Sequence, residues 1–261
     1  STGGGVWKTT DESVTWSEIS NGMESIAISW LDQSKSQPNV LYAATGVAWV
    51  GGIQDITGAG VYKSVDSGKN WINVSPRESN GYVLDEFNNV SRLLVDPTDP
   101  DIVIASTTED YFAQGHIWKT IDGGKNWTEV ASATTRIQQV IAAPSDFNIQ
   151  YAAVRGVGVL RSVDRGSTWT NPGGINLSGT IDYDSEDGIL AGGGSGAFGR
   201  LELAVSHQDP YTIYASIDAD AASYLKVSYD GGVTWNLVKN DDGSNDDWLI
   251  AVSYTHLTLP T

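Results

Sequence analysis

The sequence contains no cysteine, a single methionine and three histidines among 261 residues. Without cysteine it can form no disulfide, no thiol nucleophile and no thiolate metal site. The histidines, His116, His207 and His256, are too widely separated for a zinc motif. No apolar run approaches the roughly 18 residues that a membrane-spanning helix needs. We therefore expect no cofactor and no insertion into a membrane.

Basic residues are also scarce, since 15 Lys and Arg face 32 Asp and Glu and leave a formal net charge of −17. Nucleic acids and anionic membrane surfaces attract basic proteins, so neither is an expected partner. Apolar runs with a helical period are missing as well. The chain has instead 29 glycines, 10 tryptophans and short runs of Val, Ile and Tyr between turn residues, which predict an all-β protein.

One eight-residue pattern, Ser/Thr-x-Asp-x-Gly-x-x-Trp, occurs four times, and we call each copy a box. The copies are "SVDSGKNW" at 64–71, "TIDGGKNW" at 120–127, "SVDRGSTW" at 162–169 and "SYDGGVTW" at 228–235. A degenerate copy, "TTDESVTW", ends at Trp16 and has Ser13 in the glycine position. The intervals between successive tryptophans are 55, 56, 42 and 66 residues. They fit one four-stranded propeller blade plus loops of variable length.

A second motif precedes each full box: a Pro- or Asp-rich turn and a short apolar strand, as in "SQPNVLYAATG" and "SHQDPYTIYASIDA". One repeat unit therefore predicts four antiparallel strands, a to d, with the box between c and d. We expect residues 1–250 to be a β-propeller fragment with four full four-stranded blades plus part of a fifth, from a seven-bladed or tandem propeller. The last residues, 252–261, resemble a translated sequencing adapter and are expected to be a non-native tail.

Each box is either a small active site or a structural joint. A hydroxyl and a carboxylate can accept backbone N–H groups within a turn, glycine supplies a positive φ, and tryptophan buries a large apolar ring. No reactive partner recurs beside the boxes, so we interpret them as structural. The box residues are Asp66, Gly68, Trp71, Asp122, Gly124, Trp127, Asp164, Gly166, Trp169, Asp230, Gly232 and Trp235.

A basic residue stands three positions before the box Asp in four copies, and we expect it on an exposed strand face. These residues are Lys8, Lys63, Lys119 and Arg161. The last copy has Val227 there and Lys226 beside it, which predicts a displaced or bulged strand.

The boxes resemble the Asp-box, or BNR, repeats of sialidases, sortilin-type receptors and xyloglucan-cleaving β-propeller hydrolases. Stretches such as "GGVWKTTD" look most like large secreted BNR-repeat proteins of Bacteroidetes type. The resemblance covers residues 1–250 and implies a propeller in a secreted, periplasmic or cell-surface protein. It implies no single activity, because function belongs to sites that differ among proteins of one fold.

Binding residues are expected on the long, irregular b–c and d–a loops, since such loops on a rigid scaffold carry function. Aromatic rings there can stack on sugars, and carboxylates can bond to hydroxyls; alternatively, the rings cover loop cores. Tyr82 and Phe87 are two such loop aromatics. The candidate ligand-binding residues are Trp49, Tyr111 and Phe112, and the candidate catalytic carboxylates are Glu109, Asp110, Asp55 and Asp218.

The stretch "DYDSEDG" at 182–188 faintly resembles a calcium loop through Asp182, Asp184 and Glu186. Its glycine comes one residue late and no closing glutamate follows at the right distance. We therefore predict a solvated acidic loop and no metal site.

Three functions stay open. The sequence favours a non-catalytic secreted binding or scaffold module whose loop face takes a carbohydrate or a protein. One alternative is a glycoside hydrolase of the xyloglucanase or sialidase type, although neither a "TDIGG" stretch nor an Arg-Ile-Pro motif occurs. The other is a sortilin-like or assembly-factor propeller that docks proteins.

Overall fold

The computed structural model describes residues 3–46, 56–109, 114–172, 200–219 and 222–238. The chain divides into two compact units, Ser1–Ser132 and Ala133–Thr261. Within the described ranges every regular element is a β-strand except one turn of 3₁₀ helix at Asp85–Phe87. The prediction of an all-β fold is therefore confirmed.

The first unit begins with a two-stranded sheet and continues with two four-stranded sheets, blades 1 and 2. The two-stranded sheet consists of β1 (Trp7–Lys8) and β2 (Ser17–Glu18). Blade 1 consists of β3 (Ile28–Gln33), β4 (Leu41–Thr45), β5 (Val61–Ser64) and β6 (Ile72–Asn73). Blade 2 consists of β7 (Asn89–Val95), β8 (Val103–Thr108), β9 (Gly115–Thr120) and β10 (Thr128–Ala133). Within each of these sheets, every strand pairs with the strand that follows it in the chain, as the repeat unit predicts.

The second unit contains blades 3 and 4. Blade 3 consists of β11 (Ile137–Ala143), β12 (Asp146–Val154) and β13 (Gly158–Ser162). Blade 4 consists of β14 (Leu201–Val205), β15 (Ile213–Ala219), β16 (Ala222–Ser228) and β17 (Asn236–Leu237). Blade 4 has the expected four strands, whereas the described residues of blade 3 form three.

In the described residues, the position of the fourth strand of blade 3 holds only a single bridge. Arg161 and Thr170 exchange both backbone hydrogen bonds, at 2.8 and 2.9 Å, and form an isolated bridge where the strand would start. The next hydrogen-bonded pair would need an N–H from Pro172, which has none. Within the described residues, which end here at 172, the fourth strand of blade 3 is therefore reduced to this one bridge.

The apolar core of the first unit lies on both faces of its sheets. Along β4, Tyr42 and Ala44 belong to the cluster shared with blade 2, while Ala43 packs on the other side with Val6 and Trp71. Alternate residues of a strand point to opposite faces, so both faces of blade 1 are covered. Because both faces of β4 are buried, its sequence is an almost continuous run of apolar residues.

The fourth blade contains a buried lysine. Strands β15 and β16 pair without a register shift, so the displaced strand expected from Val227 and Lys226 is wrong. Lys226 is instead 5% exposed and takes the position that Tyr62 and Leu160 hold in other blades. Burial lowers the pKa of Lys226 to about 8, because a low-dielectric surrounding disfavours the charged form.

Candidate functional site

The first box forms a closed hydrogen-bonded turn between strands β5 and β6. The Ser64 hydroxyl donates to Asp66 Oδ1 at 2.9 Å and accepts the Gly68 N–H at 2.9 Å. The Asp66 carboxylate accepts the backbone N–H of Asn70 at 2.9 Å and its side-chain amide at 2.7 Å. One hydroxyl and one carboxylate thus satisfy the donors inside the turn, as predicted.

The other boxes repeat this geometry. The hydroxyl-to-Asp and glycine-to-hydroxyl bonds measure 2.9 and 3.0 Å in the second box, 2.8 and 2.9 Å in the third, and 2.7 and 2.8 Å in the fourth. The box glycines have φ values of 86°, 92°, 75° and 92°, which glycine adopts at little cost. In the degenerate copy Ser13 adopts the same left-handed conformation, with φ of 73°.

The box carboxylates are held ionised. Hydrogen bonds from the Asn70 side chain and backbone lower the pKa of Asp66 to about 2, and Asn126 does the same for Asp122. Partial burial pushes the pKa of Asp164 and Asp230 upward, but hydrogen bonds from Thr168 and Thr234 outweigh it and lower both values. A carboxylate that accepts bonds from its own turn is poorly suited to carry protons, so the structural interpretation is favoured.

Two box tryptophans join neighbouring sheets. Trp71 Nε1 donates to the Ile19 carbonyl at 2.6 Å, and Trp127 Nε1 donates to the Val74 carbonyl at 2.7 Å. Ile19 and Val74 directly follow the last strand of the preceding sheet. Trp169 and Trp235 instead donate to Gly166 and Gly232 within their own boxes, both at 3.2 Å. The sequence predicts the buried ring but not these contacts between sheets.

The basic residue before the box reaches the next sheet in three copies. Lys8 is exposed, as expected, whereas Lys63, Lys119 and Arg161 are partly buried, so the expected exposed position is wrong for these three. Lys8 Nζ donates to the Ser67 carbonyl at 3.2 Å, and Lys63 Nζ lies 3.0 Å from the Asp101 carboxylate. The Lys63 side chain is only 13% exposed. In the second unit, Arg161 Nη1 donates to the carbonyls of Asp230 and Gly231 at 3.2 and 3.0 Å. Lys8 and Arg161 thus donate to backbone carbonyls of a turn in the next sheet, and Lys63 forms an ion pair with a carboxylate there.

The Pro/Asp motif has a matching role. Tyr42 Oη donates to the Pro100 carbonyl at 2.8 Å, and Tyr151 Oη donates to the Pro210 carbonyl at 2.8 Å. The strand tyrosine of one blade therefore holds the turn of the next. Residues of both recurring motifs thus make contacts between sheets within each unit, which favours the structural interpretation.

The irregular loops contain the predicted ligand-binding and catalytic residues. Glu109 is exposed directly after β8, and its carbonyl accepts the Asn89 side-chain amide at 2.9 Å. The backbone of Asp218 lies in β15, paired with Ser223. The remaining candidates, Trp49, Asp55, Asp110, Tyr111 and Phe112, lie outside the described residues, as do Asp182, Asp184 and Glu186. Of the predicted set, the structure therefore places only Glu109 with its side chain.

Two loop aromatics have opposite environments. Phe87 is fully buried, with ring centroids 5.3 Å from Trp118 and 5.6 Å from Trp127, so it covers a loop core. Tyr82 belongs to the same loop and is 74% exposed. The alternative that loop rings fill cores is correct for Phe87 and wrong for Tyr82.

No cluster of three or more metal-ligating side chains occurs in the described part of the chain. The same residues include no helix long and apolar enough to cross a bilayer.

The blades are repeated antiparallel meanders, each with a box turn after its third strand. This arrangement defines the class of fold as a β-propeller. No protein-family model matches the chain. The crystal structure of an ancestral GH74 enzyme is similar, with a TM-score of 0.64 at 15% identity, covering 91% of this chain and 28% of that one. This similarity supports the predicted fold.

Two curated xyloglucanases are similar in sequence. One, from Paenibacillus sp., is 25% identical over 247 residues, which cover 87% of this chain and 22% of the relative. Another, Xgh74A from Acetivibrio thermocellus, is 26% identical over 223 residues, which cover 77% of this chain and 25% of the relative. The chain spans about a quarter of the length of the curated relatives it matches.

Proposed function

We propose that the chain is a β-propeller segment of a secreted carbohydrate-active protein of the xyloglucanase type. The observation that carries the proposal is the similarity to two xyloglucanases along more than three quarters of the chain. The sequence alone favours a non-catalytic module, and these relatives support the glycoside hydrolase alternative instead. We further propose that the boxes are Asp-box repeats, because hydroxyl, carboxylate and glycine play one role in each of the four full copies.

The charge of the chain indicates which polysaccharide it takes. With a net charge of −17, the protein repels uronic acid and sulfated polymers at long range. A neutral glucan carries no such penalty, and its pyranose faces can stack on aromatic rings. Neutral, xyloglucan-like polysaccharide is therefore the proposed ligand of the irregular loops.

The catalytic part of the proposal concerns the loop carboxylates. Glycoside hydrolysis uses two carboxyl groups on either side of the scissile bond. We propose Glu109 as one of them because it is exposed beside the irregular loop and is not enclosed by a turn, unlike the box carboxylates. Asp110, Asp55 and Asp218 are the candidates for its partner.

Incubation of the protein with xyloglucan, followed by a reducing-sugar assay, tests this proposal. We expect oligosaccharide release that falls at least about 100-fold in Glu109→Gln or Asp110→Asn, the scale of general acid–base catalysis. Asp122→Asn in a box turn is the control and should keep its activity in the folded fraction. Retention of xyloglucan without release would favour the non-catalytic module, and no binding to any glycan would favour protein docking.

A further inference from the structure

The loop between β6 and β7 exposes an aromatic ring that the fold does not use. Tyr82 is 74% exposed, more than the other exposed aromatic side chains that the structure describes, of which Tyr229 follows at 63% and Trp16 at 53%. The ring is therefore accessible to a ligand.

The backbone around Tyr82 forms a small hairpin that fixes the ring's position. Arg77 and Val83 form an antiparallel bridge. The Glu78 N–H donates to the Tyr82 carbonyl at 2.8 Å, and the Gly81 N–H donates to the Glu78 carbonyl at 2.9 Å. Hydrogen bonds of this kind hold the tip in one shape before any ligand arrives, which lowers the entropic cost of binding.

Side chains of the hairpin strengthen the same frame. Arg77 Nη1 donates to the Gly81 carbonyl at 2.8 Å, and the Asn80 amide donates to Glu78 Oε2 at 2.7 Å. The Tyr82 N–H donates to Asn80 Oδ1 at 2.9 Å. A guanidinium, an amide and a carboxylate are thus held in the same turn as the ring.

The opposite side of the hairpin is anchored in the core. Val83 and Leu84 are partly buried against the cluster that contains Phe87, Trp118 and Trp127. Burial of Val83 and Leu84 fixes the end of the hairpin directly after Tyr82, while the Tyr82 side chain remains exposed.

We propose that the Tyr82 hairpin, residues 76–84, is a stacking subsite for a neutral β-linked glucan. A pyranose with equatorial hydroxyls has a flat C–H face that matches one phenol ring, and its edge hydroxyls match the polar groups of Arg77, Glu78 and Asn80. A single ring within a polar turn is too small for a protein interface, which buries about 800 Å² on each partner with an apolar centre. This inference rests on the proposed glucan ligand and adds the residue that contacts it.

Affinity electrophoresis in native gels containing soluble xyloglucan, with calorimetry on a xyloglucan oligosaccharide, tests the subsite. We expect Tyr82→Ala to weaken binding about 3- to 10-fold, the scale of one aromatic contact, and Tyr82→Phe to bind like the unmodified protein. Tyr229→Ala is the matched control, because Tyr229 is an exposed tyrosine in a box turn. It should bind like the unmodified protein.

Unfolding curves of the variants provide the check on folding, since removing an exposed side chain should leave the midpoint unchanged. Unchanged binding in Tyr82→Ala, or an equal loss in Tyr229→Ala, would overturn the subsite and leave the proposed function intact. Failure of the unmodified protein to bind xyloglucan would overturn both.

Discussion

At the scale of single residues, the box tryptophan does more than fill its own blade. Trp127 contacts Phe87 edge-on at 5.6 Å and donates its indole N–H to the Val74 carbonyl of the preceding blade at 2.7 Å. It therefore combines apolar burial with a hydrogen bond that a phenylalanine would lack. An indole N–H donor therefore explains the tryptophan of the first two boxes as a contact between sheets, whereas Trp169 and Trp235 use the same N–H within their own turns.

Replacing Trp127 with alanine should lower the free energy of unfolding by about 2–4 kcal/mol, because the change leaves a cavity and an unpaired carbonyl. Trp127→Phe should cost less, since the apolar ring stays. Trp16, whose side chain is 53% exposed, provides the control, and Trp16→Ala should cost well under half as much. Urea titration measures all three. Equal costs for Trp127→Ala and Trp16→Ala would show that the box tryptophan is not a joint.

At the scale of elements, the box turn is a preorganised loop whose carboxylate must be ionised to accept its donors. The pKa of Asp66 and of Asp122 is about 2, against an ordinary value of 3.8, mainly because of Asn70 and Asn126. A depressed pKa means that the folded state binds protons less readily than the unfolded chain. The stability from these groups is complete above about pH 4 and is lost as the pH falls through about 2.

The first unit should therefore lose stability between about pH 4 and pH 2 more steeply than its Asp122→Asn variant, which cannot titrate at that position. The variant should be less stable at pH 7, because an amide provides one acceptor oxygen in place of two. Thermal unfolding midpoints of the unmodified protein and of the variant, recorded at several pH values, test this difference. An identical acid slope in both proteins would contradict the role assigned to the carboxylate.

At the scale of the whole molecule, periodic features of the sequence predict the architecture well. The spacing of the boxes predicts a series of meandering blades. The box residues predict where each box turn lies, because each turn needs the same few residue types. The partners of those residues are not predictable, since Tyr42 and Pro100 lie 58 positions apart and meet only once two blades pack. The burial of Lys226 is also not predictable from the sequence, because it depends on the surrounding sheet and not on the chemistry of lysine.

The loop residues are the least predictable part, because their conformations follow from no repeat. Phe87 and Tyr82 look alike in the sequence, yet one is buried and the other 74% exposed. No alternation in the sequence separates them, because two apolar residues, Val83 and Leu84, directly follow Tyr82 and pack against the same cluster. The candidate catalytic carboxylates have no local signal either, so their assignment rests on the relatives.

The central claim is that box turns hold the blades together while the irregular loops bind glucan. Hydrogen exchange measured by mass spectrometry, with and without a xyloglucan oligosaccharide, tests it most directly because every peptide is observed in one experiment. We predict slower exchange in peptides covering residues 75–89 and the region of Glu109, with no change at 64–71 or 120–127. Protection confined to the box turns would contradict the claim.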